Sequence, residues 1–221
     1  MQAGNRQYRR LEDIPEIVPV FPLTAALLLP GGQMPLNIFE PRYLEMVDHA
    51  LAGRRVIGMV QPRFDLDRDE AGTPPLCEVG CLGRITSYTE TGDGRVLIAL
   101  QGVCRFRLMD ELTVKTPFRQ CRITPFLADL HEGAGADEVD RAALLKTFRA
   151  YLEANRLEAD WESVSRAGNE TLVNALSMMS PYGPAEKQAL LEAPDLKTRA
   201  ETLIAITEIA LARDDFGPNL Q

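Results

Sequence analysis

The sequence predicts an α+β protein, with strands in the first part of the chain and helices in the second. From Ile14 to about Pro125 the apolar runs are short, rich in β-branched residues and separated by glycine and proline, which is typical of strands and turns. After 129–140 the apolar residues recur at helical spacing instead. Because the two patterns follow one another and do not alternate, they favour α+β over α/β.

Composition and charge narrow the class of protein. Of the 221 residues, 45% are apolar and 25% are charged. This composition is typical of a chain with a packed core and argues against a chain that is disordered over its whole length. The formal net charge of −8 disfavours a protein that mainly covers a phosphate backbone. We therefore expect nucleic acid to be a poor partner, and we take an acidic monomer as the starting hypothesis.

The sequence gives no sign of a membrane or of an oxidising compartment. The first 17 residues are polar and lack the apolar core of a secretion signal, and no apolar run is long enough to cross a bilayer. We therefore expect a cytoplasmic protein without membrane contact. Cys77, Cys81, Cys104 and Cys121 are expected to be reduced thiols in such a location.

The first predicted elements are a strand around Pro19 and a helix that begins at Pro41. Proline removes a ladder donor, so the strand should lie at an edge or change partners at Pro19. Proline at the first helical position loses no hydrogen bond, and Tyr43, Val47 and Ala50 then recur on one helical face.

Four further strands are predicted between residues 55 and 126. Gly92 and Gly94 supply the positive φ that a tight hairpin turn requires between two of these strands. Gly80, Gly83 and Gly102 lie inside strands and suggest bulges or bends, which favours a small, strongly curved barrel over a flat sheet. The predicted strands are 55–61, 78–90, 95–112 and 119–126.

The remaining segments predict an exposed loop at 62–76, a linker at 129–140 and a set of helices after it. We expect Asn169 to cap one helix, Pro184 to open the next at its first position, and Asp195 to cap the last. The predicted apolar stripes are Leu144, Phe148, Tyr151 and Leu152; Leu172, Leu176 and Met179; and Leu196, Ala200, Leu203 and Thr207.

No motif for catalysis, a metal or a cofactor emerges. The phosphate-binding, dinucleotide, serine-nucleophile and zinc-protease patterns are all missing, and the only histidines are His49 and His131, predicted on a helix surface and in the linker. Cys77 and Cys81 lack a second pair at metal-ligand spacing, so buried thiols are favoured over a zinc site. The acidic run at 65–70 fails the spacing of a calcium loop. We assign no catalytic residue, no metal and no cofactor.

Arginines on one strand raise an alternative function. The alternation at 103–108 predicts a core face and a solvated face, with Arg105 and Arg107 on the solvated one. With Arg84 and Arg122 nearby they could form a basic patch for RNA. Aromatic residues that could stack on bases are scarce there, which favours salt-paired arginines on the surface.

A cluster at the end of one predicted helix suggests an interaction surface. Met178, Met179 and Tyr182 could form an adaptable apolar surface of the kind that binds varied partners. Such residues more often belong to a core, and we expect core packing for most of them.

Several stretches resemble one family. The segments "PVFPL" (19–23), "PGG" (30–32) and "PLNIFEPRYLEMV" (35–47) are similar to the N-terminal, substrate-recognition domain of Lon proteases. The glycine-and-hairpin region at 78–108 and the helical stretch at 187–211 resemble later parts of that domain. The resemblance covers about 14–212, and the three motifs occur in the family's order.

The resemblance implies a PUA-like β-pseudobarrel over 14–128 followed by a helical lobe over 137–213, together one domain. It further implies a non-enzymatic module that binds unfolded polypeptide or a protein partner, possibly as an adaptor in protein quality control. The ATPase and protease domains of Lon have no counterpart in this sequence, so a stand-alone protein without ATP-dependent proteolysis is expected. Phe39 and Tyr43 are the candidate binding residues, in a groove between barrel and helices, although core packing is expected of both.

Overall fold

The computed structural model describes residues 1–63 and 73–215, and their order of elements confirms the α+β prediction. Of two single-turn 3₁₀ helices, Ala136–Glu138 lies within the predicted linker at 129–140, and Leu127–Leu130 begins two residues before it. The strands are β1 (Gln2–Ala3), β2 (Arg6–Gln7), β3 (Ile17–Pro22), β4 (Gln33–Ile38), β5 (Val56–Val60), β6 (Val79–Glu90), β7 (Val96–Glu111) and β8 (Gln120–Pro125). The helices are α1 (Pro41–Ala52), α2 (Arg141–Ala154), α3 (Trp161–Arg166), α4 (Asn169–Met179), α5 (Pro184–Glu192) and α6 (Leu196–Asp215).

Five strands close into a ring. β3 pairs with β5 in parallel, β5 with β6, β6 with β7, and β7 with β8 in antiparallel fashion, and β8 returns to β3. β4 lies outside this ring and pairs with the first half of β7. The closed ring agrees with the curved barrel expected from the glycines, and its PUA-like classification stays a prediction.

The first strand of the ring changes partners at its proline. Residues Ile17 to Pro19 pair with β8, whereas Val20 to Pro22 pair with β5. Because Pro19 has no N–H, the ladder is interrupted at that residue, and the strand passes from one neighbour to the other. This confirms the prediction made from the proline.

Glycines in β6 and β7 allow close packing inside the ring. The register between the two strands shifts after Leu82, which leaves Val103 as a bulge next to Gly102. A Cβ at Gly80 would lie 2.5 Å from the ring of Phe106, and a Cβ at Gly102 would lie 2.0 Å from the carbonyl oxygen of Leu29. These strands therefore need glycine where side chains or backbone approach closely.

The helix termini follow the sequence with one exception. Pro41 and Pro184 occupy first-turn positions of α1 and α5, and Asp195 accepts a hydrogen bond of 2.7 Å from the N–H of Thr198 at the start of α6. The prediction that Asn169 caps α4 is wrong, because Gly168 is the N-cap. The Asn169 side chain instead accepts from Arg141 and donates to the carbonyl of Ala136.

The predicted stripes are mostly buried. Tyr43, Val47 and Ala50 of α1 face the core, as do the four stripe residues of α6. Met179 is the exception, because 82% of its surface is exposed at the end of α4.

Pro62 and Leu76 form a bridge at the two ends of the predicted loop, and the acidic run at 65–70 lies outside the described residues. The division into lobes at 14–128 and 137–213 stays a prediction.

Candidate functional site

The two residues predicted to bind polypeptide lie in different environments. Tyr43 is buried, its ring lies 4.3 Å from that of Phe21, and burial raises the pKa of its hydroxyl. Phe39 immediately follows β4, and 61% of its surface is exposed beside the guanidinium of Arg95. The expected core packing is therefore found for Tyr43 and not for Phe39, and the binding role of both stays a prediction.

Arg105 is not on a solvated face. It is only 3% exposed, and its guanidinium forms two hydrogen bonds of 2.8 Å with the carboxylate of Asp129. It also donates to the carbonyl oxygens of Leu191, Ala193 and Pro194, at and after the end of α5. The sequence-based assignment of Arg105 to the surface is wrong, because the helices cover this side of the barrel.

The other arginines of the predicted RNA patch are paired separately. Arg107 is exposed and lies 3.2 Å from the carboxylate of Glu78. Arg84 donates to the hydroxyl of Tyr8 and to the carbonyl of Arg54, and Arg122 contacts Glu16 and Asp110. With Arg105 buried, the structure does not bring these side chains together as one basic surface.

A large cleft lies between the β-rich part and α4. Its volume is about 900 Å³. One wall is formed by the segment from Ala25 to Pro35, which includes the start of β4 and the side chain of Met34. The opposite wall is the outer face of α4, with Ala175, Met178 and Met179. Apolar and methionine side chains therefore dominate a groove of the size that binds ligands in proteins.

Buried hydrogen bonds hold the two walls together. The amide of Asn174 in α4 donates to the carbonyl of Pro30 over 3.1 Å. Arg199 in α6 donates to the side-chain oxygen of Asn174 and to the carbonyl of Leu190, each over 3.0 Å. Burial lowers the pKa of Arg199 to about 10, so its guanidinium stays charged at neutral pH. The cleft therefore lies over a fixed polar connection between strand loop and helices.

Lys187 of α5 is hydrogen-bonded to the C-terminal end of α4. Its ammonium group donates to the carbonyl oxygens of Ser177 and Met178, over 2.9 and 2.7 Å. A helix leaves its last carbonyls without partners, so this buried cation satisfies two of them. Burial lowers the pKa of Lys187 to about 8. Lys187 therefore positions the turn that carries Met178 and Met179.

The two walls of the cleft, the segment from Ala25 to Pro35 and the outer face of α4, are in contact at Gly32. A Cβ at this residue would lie 2.3 Å from Sδ of Met178, closer than any side chain could be accommodated without a shift. Glycine at position 32 thus allows the thioether of Met178 to lie against the backbone of the loop. Both residues of this contact line the cleft.

The ionisable side chains that line the cleft, among the described residues, are both acidic. The carboxylate of Glu170 accepts a hydrogen bond of 2.7 Å from the N–H of Gly133. The carboxylate of Glu132 accepts a hydrogen bond of 3.0 Å from the N–H of Gln2 and lies 3.6 Å from the N-terminal ammonium of Met1. The cleft therefore combines apolar walls with an acidic rim, in which the ammonium of Met1 offsets the charge of Glu132 and Glu170 supplies the remaining negative charge.

The cysteines and histidines do not form a site within residues 1–63 and 73–215. The four cysteines are buried, as predicted, and burial raises the pKa of Cys104 and of Cys121 to about 12. His49 is exposed on α1 and His131 is exposed after a 3₁₀ turn, also as predicted. The same residues contain no cluster of three or more potential metal ligands. No helix in this part of the chain is long and apolar enough to cross a membrane.

Sequence reasoning identified part of the cleft without assembling it. Met178 and Met179 were recognised as a potential adaptable surface, and the exposed Met179 shows that core packing was the wrong choice for this residue. The opposite wall at 25–35 lies in the region that the sequence assigns to strands and turns in general, and no residue of it is predicted to line a site. The glycine pair at 31–32 was the available signal, since such a pair can allow a close backbone approach.

Comparison with known proteins identifies the family. The model of the ATP-dependent protease La (LON) substrate-binding domain matches residues 17–208. Lon protease 2 of Myxococcus xanthus is 27% identical in an alignment of 207 residues that covers 88% of this chain and 24% of the protease. A Lon protease of Parabacteroides distasonis is 30% identical over 206 residues, again 24% of its length. The chain thus spans about a quarter of these relatives.

Two solved structures share the fold. The Lon N-terminal domain protein from Xanthomonas campestris aligns with a TM-score of 0.60 and 23% identity, over 86% of this chain and 97% of that one. The N-terminal domain of a Mycobacterium avium complex Lon protease aligns with a TM-score of 0.64 and 20% identity, over 87% and 98%. Since the family model covers most of the sequence, the chain belongs to the family of LON substrate-binding domains.

Proposed function

We propose that this chain recognises polypeptide in the cleft between the segment 25–35 and α4. The observation that carries the proposal is the set of methionine side chains, Met34, Met178 and Met179, on both walls of a large open cleft. Unbranched, polarisable thioethers adapt to apolar side chains of different shapes, which suits a site for varied sequences. Membership in a substrate-binding family supports the same role.

The finer part of the proposal is an adaptor role in protein quality control, without catalysis by this chain. Its support is the family's description as a substrate-binding domain and the burial of all four thiols. Because burial raises the pKa of Cys81, Cys104 and Cys121, these groups are protonated and are poor nucleophiles.

No observation favours the RNA-binding alternative. Its central residue, Arg105, is committed to Asp129 and to backbone carbonyls, so it has no donor directed at a ligand surface. Arg107 already has an acidic neighbour in Glu78. The cleft itself has an acidic rim, which repels phosphate.

Fluorescence anisotropy tests the proposal with a labelled, permanently unfolded polypeptide and two matched variants. Met179→Gln removes an apolar contact from the cleft, whereas Met109→Gln makes the same change on an exposed methionine of β7 outside the cleft lining. We expect Met179→Gln to weaken binding about tenfold, as for the loss of one partly buried apolar side chain. The Met109→Gln variant should bind the polypeptide with the same affinity as the unchanged protein.

The polypeptide binding should persist at high salt, and a single-stranded RNA titrated in parallel should not bind at high salt. Equal affinities for all three proteins would place the binding site outside the cleft. Binding of RNA alone would contradict the polypeptide proposal.

A further inference from the structure

β4 is an edge strand beside the cleft. Within the described part of the chain β7 is the only strand that pairs with it, whereas each strand of the closed ring has a partner on both sides. An edge strand presents unpaired backbone groups, which are a template for another extended chain.

The register shows which backbone groups face outward. The N–H of Gly102 donates to the carbonyl of Gly32 over 2.9 Å, and the antiparallel pairing continues from there with one residue of β7 opposite each residue of β4. In such a ladder, residues bonded to the neighbour alternate with residues whose N–H and C=O point away. The even-numbered residues of β4 therefore face β7, and Gln33, Pro35 and Asn37 direct their backbone groups to the free edge.

The free edge is consistent with the side chains at these three positions. All three are exposed, and Pro35, which has no N–H to donate, stands where no ladder bond is lost. Gln33 and Asn37 each offer a donor and an acceptor, and Pro35 offers its carbonyl. Two donors and three acceptors are thus available to an added strand.

The free edge is continuous with the cleft. Gln33, Met34 and Pro35 line the cleft opposite Met178 and Met179, so a chain leaving the cleft along β4 would follow the free edge. At the far end of the strand lies the exposed ring of Phe39.

We propose that a segment of bound polypeptide adds to the free edge of β4 as an extra strand, with apolar side chains in the methionine-lined cleft and a basic residue at the acidic rim. Because the ammonium of Met1 offsets the charge of Glu132, the remaining negative charge of the rim comes from Glu170, and it favours a cationic over an acidic segment. Backbone hydrogen bonds provide affinity without demanding a particular sequence, while alternate side chains reach the cleft. This inference rests on the proposed function, for which it supplies the binding mode.

Backbone methylation of a peptide tests this mode. The probe is a fluorescent peptide of about eight residues that alternates leucine with serine and ends in lysine, a length typical of a strand. Single N-methyl groups are placed at each position in turn. An added strand predicts that methylation weakens binding at every second residue, by about tenfold for each hydrogen bond lost, and is tolerated at the residues between.

A pair of protein variants gives an independent measurement. Asn37→Pro removes an outward N–H and leaves the bonds to β7 in place, whereas Asn37→Ala removes only the side chain. We expect Asn37→Pro to weaken the unmethylated peptide about tenfold and Asn37→Ala to bind it normally. A thermal melt of each variant checks that the fold is retained. If Asn37→Pro does not fold, the methylated peptides still test the added strand, because they are measured with the unchanged protein.

The outcomes separate the two claims. If the unmethylated peptide binds but methylation does not weaken binding at every second residue, the proposal of an added strand is wrong and the cleft remains a polypeptide site. If no peptide binds, neither claim holds. A peptide with glutamate in place of lysine should bind more weakly, and equal binding would remove the role assigned to the acidic rim.

Discussion

At the scale of single residues, a buried ion pair lies where the barrel and the helices meet. Arg105 extends from β7 to Asp129 and to carbonyls after α5, so one side chain joins parts of the chain that are far apart in sequence. Removing one partner of such a pair leaves the other charge buried and without compensation. The residue that the sequence suggested for RNA contact is thus part of the structural core.

Replacing Arg105 by alanine should therefore destabilise the protein. We expect the free energy of unfolding in urea to fall by about 3–5 kcal/mol, because three carbonyls lose their donor and the buried carboxylate of Asp129 keeps only the backbone N–H of residue 105. Arg107→Ala is the matched change on the exposed face and should cost less than about 0.5 kcal/mol. Equal effects of the two substitutions would show that Arg105 is not committed to the core.

Lys187 should make stability depend on pH. Burial lowers its pKa to about 8 from an ordinary value of 10.5, so the unfolded chain binds more protons than the folded one between these values. The free energy of unfolding should therefore rise with pH in this window. At lower pH the group is charged in both states, so Lys187 makes no contribution to the pH dependence there.

Urea unfolding at a series of pH values measures this rise. The comparison is with Lys187→Met, which lacks the titrating group, and with Lys146→Met as the change of an exposed lysine. The difference between the unchanged protein and Lys187→Met should grow by about 1–2 kcal/mol across the window. A pH-independent difference would contradict the assignment.

At the scale of elements, capping fixes the start of the longest helix. The carboxylate of Asp195 accepts from the N–H of Thr198, and this bond lowers the pKa of Asp195. Replacing Asp195 by alanine should reduce the free energy of unfolding by about 1 kcal/mol, while Asp195→Asn, which keeps the acceptor, should retain most of the stability. Thermal melts of both variants check this, and equal losses would mean that charge and not the hydrogen bond matters.

Elements with a local cause were predictable from sequence. The change of partners at Pro19, the hairpin at Gly92 and Gly94, and the proline-initiated helices α1 and α5 each follow from backbone properties of single residues. Asn169 shows the limit, because a tertiary contact with Arg141 engages the side chain that a local rule assigns to capping.

The candidate site was less predictable because distant segments form it. Alternation along β7 distinguishes two faces, but it does not show that helices cover the face of Arg105. Likewise the methionines of α4 were recognisable, whereas their position opposite Met34 depends on the packing of α4 against the loop at 25–35. Such contacts depend on tertiary packing, which the periodicity of a single element does not encode.

At the scale of the whole molecule, the cleft follows from the way the two parts are joined. Buried polar contacts connect the barrel to the helices: Gln61 donates to Pro184 and Gln188, Arg105 reaches the end of α5, and Asn174 reaches Pro30. These connections leave an open groove where α4 faces β4. The groove is thus bounded by two parts whose relative position is fixed.

The central claim is that polypeptide binds in this groove, and photo-crosslinking tests it most directly. A permanently unfolded polypeptide carrying a photoreactive group at an apolar position is bound to the unchanged protein, irradiated, and the attached residues are identified by mass spectrometry. We expect attachment at Met34, Met178 and Met179 on the two walls. Attachment confined to other exposed apolar side chains, such as Trp161 or Met109, would contradict the account.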